Sequence, residues 1–241
     1  MTGEFERIRY LRSLFGTPSP SVALGIGDDA ALIEPPASGR LVWTVDASVE
    51  SIHFRRDMLS WHDVGYRSFM AAASDLAAMS ATPIGALSSL LLPQDFPDEN
   101  LFALAQGQKH AAQELNTAII GGNLSAANTV SVTTTHLGSA SKAPRRDGAR
   151  PGDLVALCGD VGLAAAGLHL LLHNPTHHPT SDAEHLALTA WRQPQARITQ
   201  GMHSQHATSL IDVSDGLSQD ASHIADASHV SIHIDTSQLI I

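Results

Sequence analysis

The sequence alternates between short apolar runs rich in β-forming residues and longer segments with apolar side chains at helical spacing. This alternation constrains the fold most, because strands that alternate with helices are typical of an α/β (α+β) fold with helices packed on a sheet. The strands predicted in the first half are residues 41–45, 84–92, 117–120 and 130–137, and the predicted helices are residues 4–15, 61–80 and 98–115. We interpret residues 41–45 as a buried strand that ends at Asp46, and Ser60 with Asp63 as the capping box of the second helix.

Composition changes at residues 139–153, which are polar and rich in Gly, Pro and basic residues. Such a segment is typical of a domain boundary, and 241 residues are enough for two small domains. We therefore predict a first domain at residues 1–139 and a second α/β domain at residues 140–241. In the second domain we predict strands at residues 154–158, in the run before Asp212 and at residues 230–235, and helices at residues 163–172 and 216–227.

The chain ends on the apolar sequence Leu239-Ile-Ile241, directly after a predicted strand. Chain ends are more often polar and frayed. Two interpretations remain open: these residues pack into the core, or the second domain is cut short. We favour the second.

Composition excludes several classes of protein. No apolar run approaches the roughly 18 residues of a membrane helix, and the acidic N-terminal segment lacks the apolar region of a signal peptide. The single cysteine, Cys158, excludes a disulfide framework and fits a reducing cytoplasm; we interpret it as a buried small hydrophobe. A net charge of −10 argues against a nucleic-acid surface. We expect a cytoplasmic protein that binds neither nucleic acid nor membrane.

Several aspartates lie beside small residues and away from basic partners: Asp28, Asp29, Asp46, Asp75, Asp212, Asp215 and Asp220. Each alone fits a helix cap or a turn. The set is harder to explain this way, because Asp75 lies inside an otherwise apolar helix, where a carboxylate is costly unless it meets a cation. If the aspartates converge, their repulsion requires a counter-charge. Mg²⁺ prefers oxygen ligands and is typically shared with substrate phosphates, whereas one cysteine excludes a thiolate zinc site.

Possible phosphate contacts are less specific. Gly121-Gly122 after a strand fits a backbone anion nest, and residues 159–162 weakly resemble an anion-binding helix N-terminus. The basic group of Arg145, Arg146 and Arg150 suits either contact with a phosphate tail or a solvated linker. The sequence contains no P-loop signature.

The histidines divide into two groups. His173, His177 and His178 lie in a Pro-containing segment without a fixed spacing, and we interpret them as a surface loop. His53 follows Asp46 closely, and we expect it to face the same cleft. We interpret Ser214 as a ligand-binding hydroxyl, because no histidine lies at a recognisable triad spacing from it.

These residues together resemble the thiamine-monophosphate kinases, of the superfamily that includes aminoimidazole ribonucleotide synthetase. The matching stretches, in the family's order, are Gly3-Glu-Phe5, Gly25-Ile-Gly-Asp-Asp-Ala30, Asp46 through His53-Phe54, Ser74-Asp-Leu-Ala-Ala-Met79, Gly121-Gly122, Gly148-Ala-Arg-Pro-Gly-Asp153, Ala165-Ala-Gly-Leu168 and Asp212-Val-Ser-Asp-Gly-Leu217.

The resemblance implies a two-domain α/β fold, a homodimer formed through the N-terminal sheets, and ATP with several Mg²⁺ ions in the cleft between the domains. The implied reaction transfers the γ-phosphoryl group of ATP to thiamine monophosphate and yields thiamine diphosphate. By position, the implied Mg²⁺ ligands are Asp29, Thr44, Asp46, Asp75, Asp212 and Asp215. The implied nucleotide contacts are Gly121, Gly122, Asn123, Arg146 and Ser214, and His53 is the implied thiamine contact.

The chain departs from the family's pattern at several points. Asn123 stands where the family usually has an aspartate, Val45 where a threonine is frequent, and Ser51 where a glycine is usual. Family members also continue further at the C-terminus. An alternative function therefore remains open: a catalytically silent dimeric relative that binds nucleotide.

Overall fold

The computed structural model describes residues 3–15, 20–26 and 30–235. The helices are α1 (Glu4–Phe15), α2 (Trp61–Ala78), α3 (Asp98–Glu114), α4 (Leu163–His173), α5 (Asp182–Arg192), α6 (Ile198–His203) and α7 (Leu217–Ser228). The strands are β1 (Val22–Leu24), β2 (Leu32–Ile33), β3 (Arg40–Val49), β4 (Thr82–Leu92), β5 (Ile119–Ala126) and β6 (Ser131–Ala140). The mixed α/β architecture predicted from the alternation is confirmed.

A four-stranded sheet with the order β3-β6-β4-β5 forms the first half of the molecule. Strand β6 pairs antiparallel with both β3 and β4, whereas β5 runs parallel to β4 after the crossover through α3. Helices α2 and α3 cover one face of this sheet. Phe69 and Leu76 of α2 and Leu101 of α3 are completely buried there.

The start of α2 follows from its capping residues. Ser60 Oγ accepts the backbone N–H of Asp63 at 3.1 Å and donates to the Asp63 carboxylate at 2.7 Å. The first bond satisfies a helix N–H group that would otherwise lack a partner. The helix start predicted at Ser60 is confirmed, with the Asp63 carboxylate bonded to the Ser60 hydroxyl.

Helices α2 and α3 approach each other closely at two glycines. A Cβ atom on Gly65 would lie 1.9 Å from the carbonyl oxygen of Leu104, and one on Gly107 would lie 1.9 Å from that of His62. Any larger residue would therefore force the helices apart. This contact fixes the N-terminal part of α2 against α3.

The prediction of a buried strand over residues 41–45 was wrong in two respects. Strand β3 continues to Val49, so Asp46 lies inside the strand rather than at its end. Leu41, Trp43 and Val45 are 53%, 72% and 61% exposed. They share one face of the strand, because side chains alternate along it, while α2 covers the other face. An apolar run shows strand propensity, but it does not show how many faces are covered.

The second half packs on α2 through polar and apolar contacts. The Arg67 guanidinium of α2 donates to the carbonyl of Trp191 and lies over its ring at 5.0 Å. The Gln193 side chain donates to Asp63 at 2.8 Å, and Gly201 of α6 lies against the backbone of Ala77. The two halves are thus docked around one helix.

The strands predicted at residues 154–158, before Asp212 and at residues 230–235 are not formed. A strand requires a neighbour that pairs with its N–H and C=O groups, and no ladder joins these segments to another described segment. Leu154 is 96% exposed, and Cys158 is also exposed, which corrects the prediction of a buried thiol. Within the described residues, no helix is both long enough and apolar enough to cross a membrane.

Candidate functional site

The site begins where the C-terminal part of α2 meets β3. Thr44 lies on the helix-facing side of β3, and its hydroxyl donates a short hydrogen bond to the Asp75 carboxylate. Asp75 is only partly exposed, between the buried residues Ala73 and Leu76. The strand therefore supplies a hydroxyl and the helix a carboxylate at the same point.

Asp212 joins this point from the loop that precedes α7. Burial raises the pKa of its carboxyl, and the negative charges of Asp75 and Asp220 raise it further, whereas a hydrogen bond from the Ser74 hydroxyl lowers it. The Asp212 carboxylate is therefore close enough to Asp75 for the two charges to repel. Residues far apart in sequence bring two acids to one place, as expected from the sequence.

The donor set at this point fits a hard divalent cation. Thr44, Asp75 and Asp212 offer only oxygen atoms, and the charge of Asp75 adds to the effect of burial in raising the pKa of Asp212. A divalent cation would relieve that repulsion, and Mg²⁺ commonly completes its shell with water and phosphate oxygens. Among the described residues, no three His, Cys, Asp or Glu side chains form a metal-binding group. The site therefore has two carboxylates, not a closed metal cage.

The loop that carries Asp212 is held from inside α7. Asp220 Oδ2 accepts the backbone N–H groups of Ser214, Asp215 and Gly216 at 2.9, 3.0 and 3.1 Å. Gly216 is the N-cap residue, with φ 122°, and it supplies no side-chain cap. The carboxylate of Asp220 thus ties the residues that precede α7 to the first turn of the helix.

Two other predicted carboxylates, Asp46 and Asp215, form hydrogen bonds outside this contact. Asp46 shares the helix-facing side of β3 with Thr44, is exposed and accepts the N–H of Ala47 at 2.7 Å. Asp215 is exposed and accepts a bond from the Gln219 amide at 3.3 Å. Asp29 lies outside the described residues. Their role as metal ligands stays a prediction.

His53 follows β3 on an exposed turn. Its Nδ1 accepts the backbone N–H of Val49 at 3.1 Å, which fixes the tautomer with the proton on Nε2. The contact of His53 with a substrate stays a prediction.

Gly121 and Gly122 do not form the predicted turn-like nest, because β5 continues through them to Ala126. The main chain of Gly122 approaches β4 so closely that a Cβ atom would lie 1.9 Å from the Ser88 carbonyl oxygen. Glycine is therefore required for strand pairing at this position. Asn123 is exposed, and its amide donates to Ser125 Oγ at 3.1 Å.

Arg146 joins the segment after the sheet to the second half through its backbone. The Arg146 carbonyl accepts hydrogen bonds from the hydroxyls of Ser209 at 3.2 Å and Ser228 at 2.7 Å. The residue as a whole is exposed to solvent. Arg145 instead pairs with Asp147 at 2.6 Å. Arg146 is exposed, and among the described residues no acid forms an ion pair with it.

Sequence reasoning gave no role to Ser74 and named Asp220 only as one of the clustered aspartates, although both interact with the site or its loop. A serine directly before Asp75 gave a weak signal. Asp220 gave a second weak signal. It lies one turn inside the helix that follows Asp212-Val-Ser-Asp-Gly, where a carboxylate can accept N–H groups at the helix start.

A family model described as AIR synthase related protein, N-terminal domain, matches residues 27–140. The chain is 35% identical to the thiamine-monophosphate kinase of Bacillus subtilis (strain 168) over 224 aligned residues. The alignment covers 91% of this chain and 69% of that protein. The chain belongs to the thiamine-monophosphate kinase family.

Solved structures of thiamine-monophosphate kinases have the same fold. The enzyme from Stenotrophomonas maltophilia K279a superposes with a TM-score of 0.81 at 33% identity, over 93% of this chain and 71% of that one. A structure described as AaThiL complexed with AMPPCP and TMP gives a TM-score of 0.76 at 32% identity, over 94% of this chain and 71% of the other.

Proposed function

We propose that this chain phosphorylates thiamine monophosphate with ATP and Mg²⁺ and yields thiamine diphosphate and ADP. The observation that carries the proposal is the meeting of Asp75 and Asp212 beside Thr44, in a family with a member that binds AMPPCP and TMP. In the reaction, a phosphate oxygen of thiamine monophosphate forms a bond to the γ-phosphorus of ATP, and the bond from that phosphorus to the β,γ-bridging oxygen breaks.

The chain's residues supply positioning and charge. Asp75, Asp212 and the Thr44 hydroxyl would hold Mg²⁺, and Asp29, Asp46 and Asp215 would complete the metal sites. When bound, Mg²⁺ would supply positive charge against the phosphate oxygens. No residue forms a covalent intermediate, because phosphoryl transfer with a loose transition state requires mainly alignment and electrostatic stabilisation.

Further residues bind the substrates. Arg146, Ser214, Asn123 and the main chain of Gly121 and Gly122 contact the nucleotide phosphates. The exposed position of Arg146 supports its part in this assignment. His53 contacts thiamine monophosphate, for which its solvent-facing Nε2–H is a suitable donor to phosphate.

The proposed functional unit is a cytoplasmic homodimer with a domain boundary between residues 139 and 140. The end of the family model at residue 140 supports the boundary. The exposed face of Leu41, Trp43 and Val45 continues at Leu87, because Val45 and Leu87 both pair with Thr135. Large apolar patches on a sheet are typical of subunit interfaces, which supports dimerisation through this face.

Asn123 favours a second candidate function, a catalytically silent relative that binds nucleotide. An amide is a weaker Mg²⁺ ligand than a carboxylate, and this one is engaged with Ser125.

The test is incubation with ATP, Mg²⁺ and thiamine monophosphate, followed by chromatographic detection of thiamine diphosphate. Product that disappears on addition of a chelator supports the kinase. Mg²⁺-dependent binding of AMPPCP without product, in both the native chain and Asn123→Asp, supports the silent relative. Absence of both binding and product contradicts both candidates.

A further inference from the structure

Asp220 is a buried carboxylate to which no role has yet been given in the reaction. It lies in the first turn of α7 and is only 3% exposed. Its three N–H donors all belong to the loop between Asp212 and α7. Within the described residues no Lys or Arg forms an ion pair with it, so these N–H groups and the start of the helix stabilise its charge.

Packing does little to hold the same loop. Val213 is 43% exposed, and Ser214, Asp215 and Gly216 are exposed as well. A Cβ atom on Gly216 would meet no atom within 4 Å. The main restraint on residues 214–216 is therefore the set of bonds to Asp220.

Asp212 lies two residues before Ser214, and its carboxylate interacts with the Ser74 side chain and with the charge of Asp75. A change in the backbone of residues 214–216 would rotate or shift Asp212, because the two segments are covalently continuous. The charge of Asp220 also acts on the Asp212 carboxyl. Asp220 thus influences Asp212 through both the backbone and the local field.

We propose that Asp220 is a positioning residue that holds the 214–216 loop so that Asp212, Asp75 and Thr44 bind one divalent cation together. This inference rests on the proposed function, because it assigns the cation to the same site. Asp220 itself is not a ligand in this assignment, since it is buried and its carboxylate is bonded to the three N–H groups of the loop. Residues behind metal ligands typically change metal affinity 10- to 100-fold when they are removed.

The experiment compares Asp220→Ala and Asp220→Asn with Asp226→Ala, an exposed acid on the same helix. Hydrogen exchange by mass spectrometry measures the protection of the amides of residues 214–216. Calorimetry measures the Mg²⁺ concentration needed for half-maximal binding of AMPPCP. Thermal unfolding shows whether each variant is folded.

We expect Asp220→Ala to lose hydrogen-exchange protection at residues 214–216. It should also require at least roughly tenfold more Mg²⁺ for half-maximal binding of AMPPCP. Asp220→Asn should fall between Asp220→Ala and the native chain, because its amide oxygen still accepts N–H bonds but carries no charge. Asp226→Ala should behave as the native chain does.

Folded Asp220 variants with native protection and native Mg²⁺ dependence would overturn the inference. If Asp220→Ala does not fold, the same readings on Asp220→Asn decide it. A native chain that binds no AMPPCP at any Mg²⁺ concentration would instead contradict the proposed function, and would remove the inference with it. The exchange data would then still show whether Asp220 holds the loop.

Discussion

Asp75 lies in a turn of α2 beside the buried Leu76 and Ala77, yet its carboxylate meets a hydroxyl and a second acid rather than a basic side chain. A carboxylate without a cation in such surroundings is unfavourable for stability. Its presence is therefore better explained by ligand binding than by folding.

Replacement of Asp75 by Asn should weaken Mg²⁺-dependent binding of AMPPCP at least tenfold, because one charged ligand is lost. Without metal, the melting temperature should stay the same or rise, because the substitution removes the charge repulsion between residue 75 and Asp212. Calorimetry and thermal unfolding measure the two effects, with Asp95→Asn on an exposed turn as the control. An unfolded Asp75→Asn, with metal response intact in any folded fraction, would show a structural role instead.

His136 is a buried histidine on β6, opposite Thr44 in the sheet register. Its Nε2 bonds to the carbonyl of Phe69 at 3.1 Å, while its Nδ1 has no described partner. Burial lowers the pKa of His136 to about 4, so the folded protein holds this ring neutral.

Stability should fall as the pH falls from about 6.5, where an unfolded histidine begins to bind a proton, to about 4. Above this window the neutral ring stabilises the fold fully, and across it His136 accounts for a loss of about 3 kcal/mol. Urea unfolding at pH 7, 6 and 5 should show a smaller loss for His136→Gln than for the native chain. The exposed His206→Gln is the control; equal pH dependence in all three proteins would contradict the prediction.

At the scale of elements, the crossing of α2 and α3 positions the site, because Asp75 lies on α2. The crossing includes close backbone contact at Gly65 and Gly107, beside buried side chains that the two helices share in the core. A shift of α2 away from α3 would also alter the contact between Asp75 and β3.

Substitution of Gly107 by Ala should destabilise the fold by about 2 kcal/mol, because the steric overlap with the His62 carbonyl exceeds the gain in helix propensity. Chemical denaturation gives the difference directly. Gln113→Ala, at an exposed position of the same helix, should change the free energy of unfolding by less than about 0.5 kcal/mol. A Gly107→Ala protein as stable as the native chain would contradict this account of the crossing.

Elements with their own local signals were predictable from the sequence. The capping box at Ser60 and the helical spacing after it predict α2, and the β-rich run at residues 130–137 predicts β6. The runs at residues 154–158 and 230–235 have the same local signals but form no strands, because pairing depends on neighbours that local periodicity does not encode.

At the scale of the whole molecule, the sheet has one face covered by helices and an opposite face that exposes Leu41, Trp43, Val45 and Leu87. Contact with a second copy would remove this apolar surface from water. The interface would then lie on the side of the sheet opposite to the site.

Trp43→Glu should shift the protein from dimer to monomer in sedimentation velocity, because it places a charge in the centre of the exposed face. The melting temperature of the monomer should change little, since Trp43 is 72% exposed. Leu186→Glu, on α5 at 57% exposure, is the control and should stay dimeric. A native chain that is monomeric at all concentrations would contradict the proposed homodimer.

The sequence placed Asp75 and Asp212 in a larger set of aspartates without basic neighbours, which is a local property, but it did not show how the two are held. Ser74, His136 and the bonds from residues 214–216 to Asp220 depend on which elements pack together, and one chain's pattern does not reveal that.

Asp75 and Asp212 belong to opposite halves of the chain, and the halves meet through Arg67, Trp191 and Gln193. Neither half expressed by itself would contain the pair of acids. An ion bound between them would join the halves, so that saturation with metal should suppress their separation and make unfolding more cooperative.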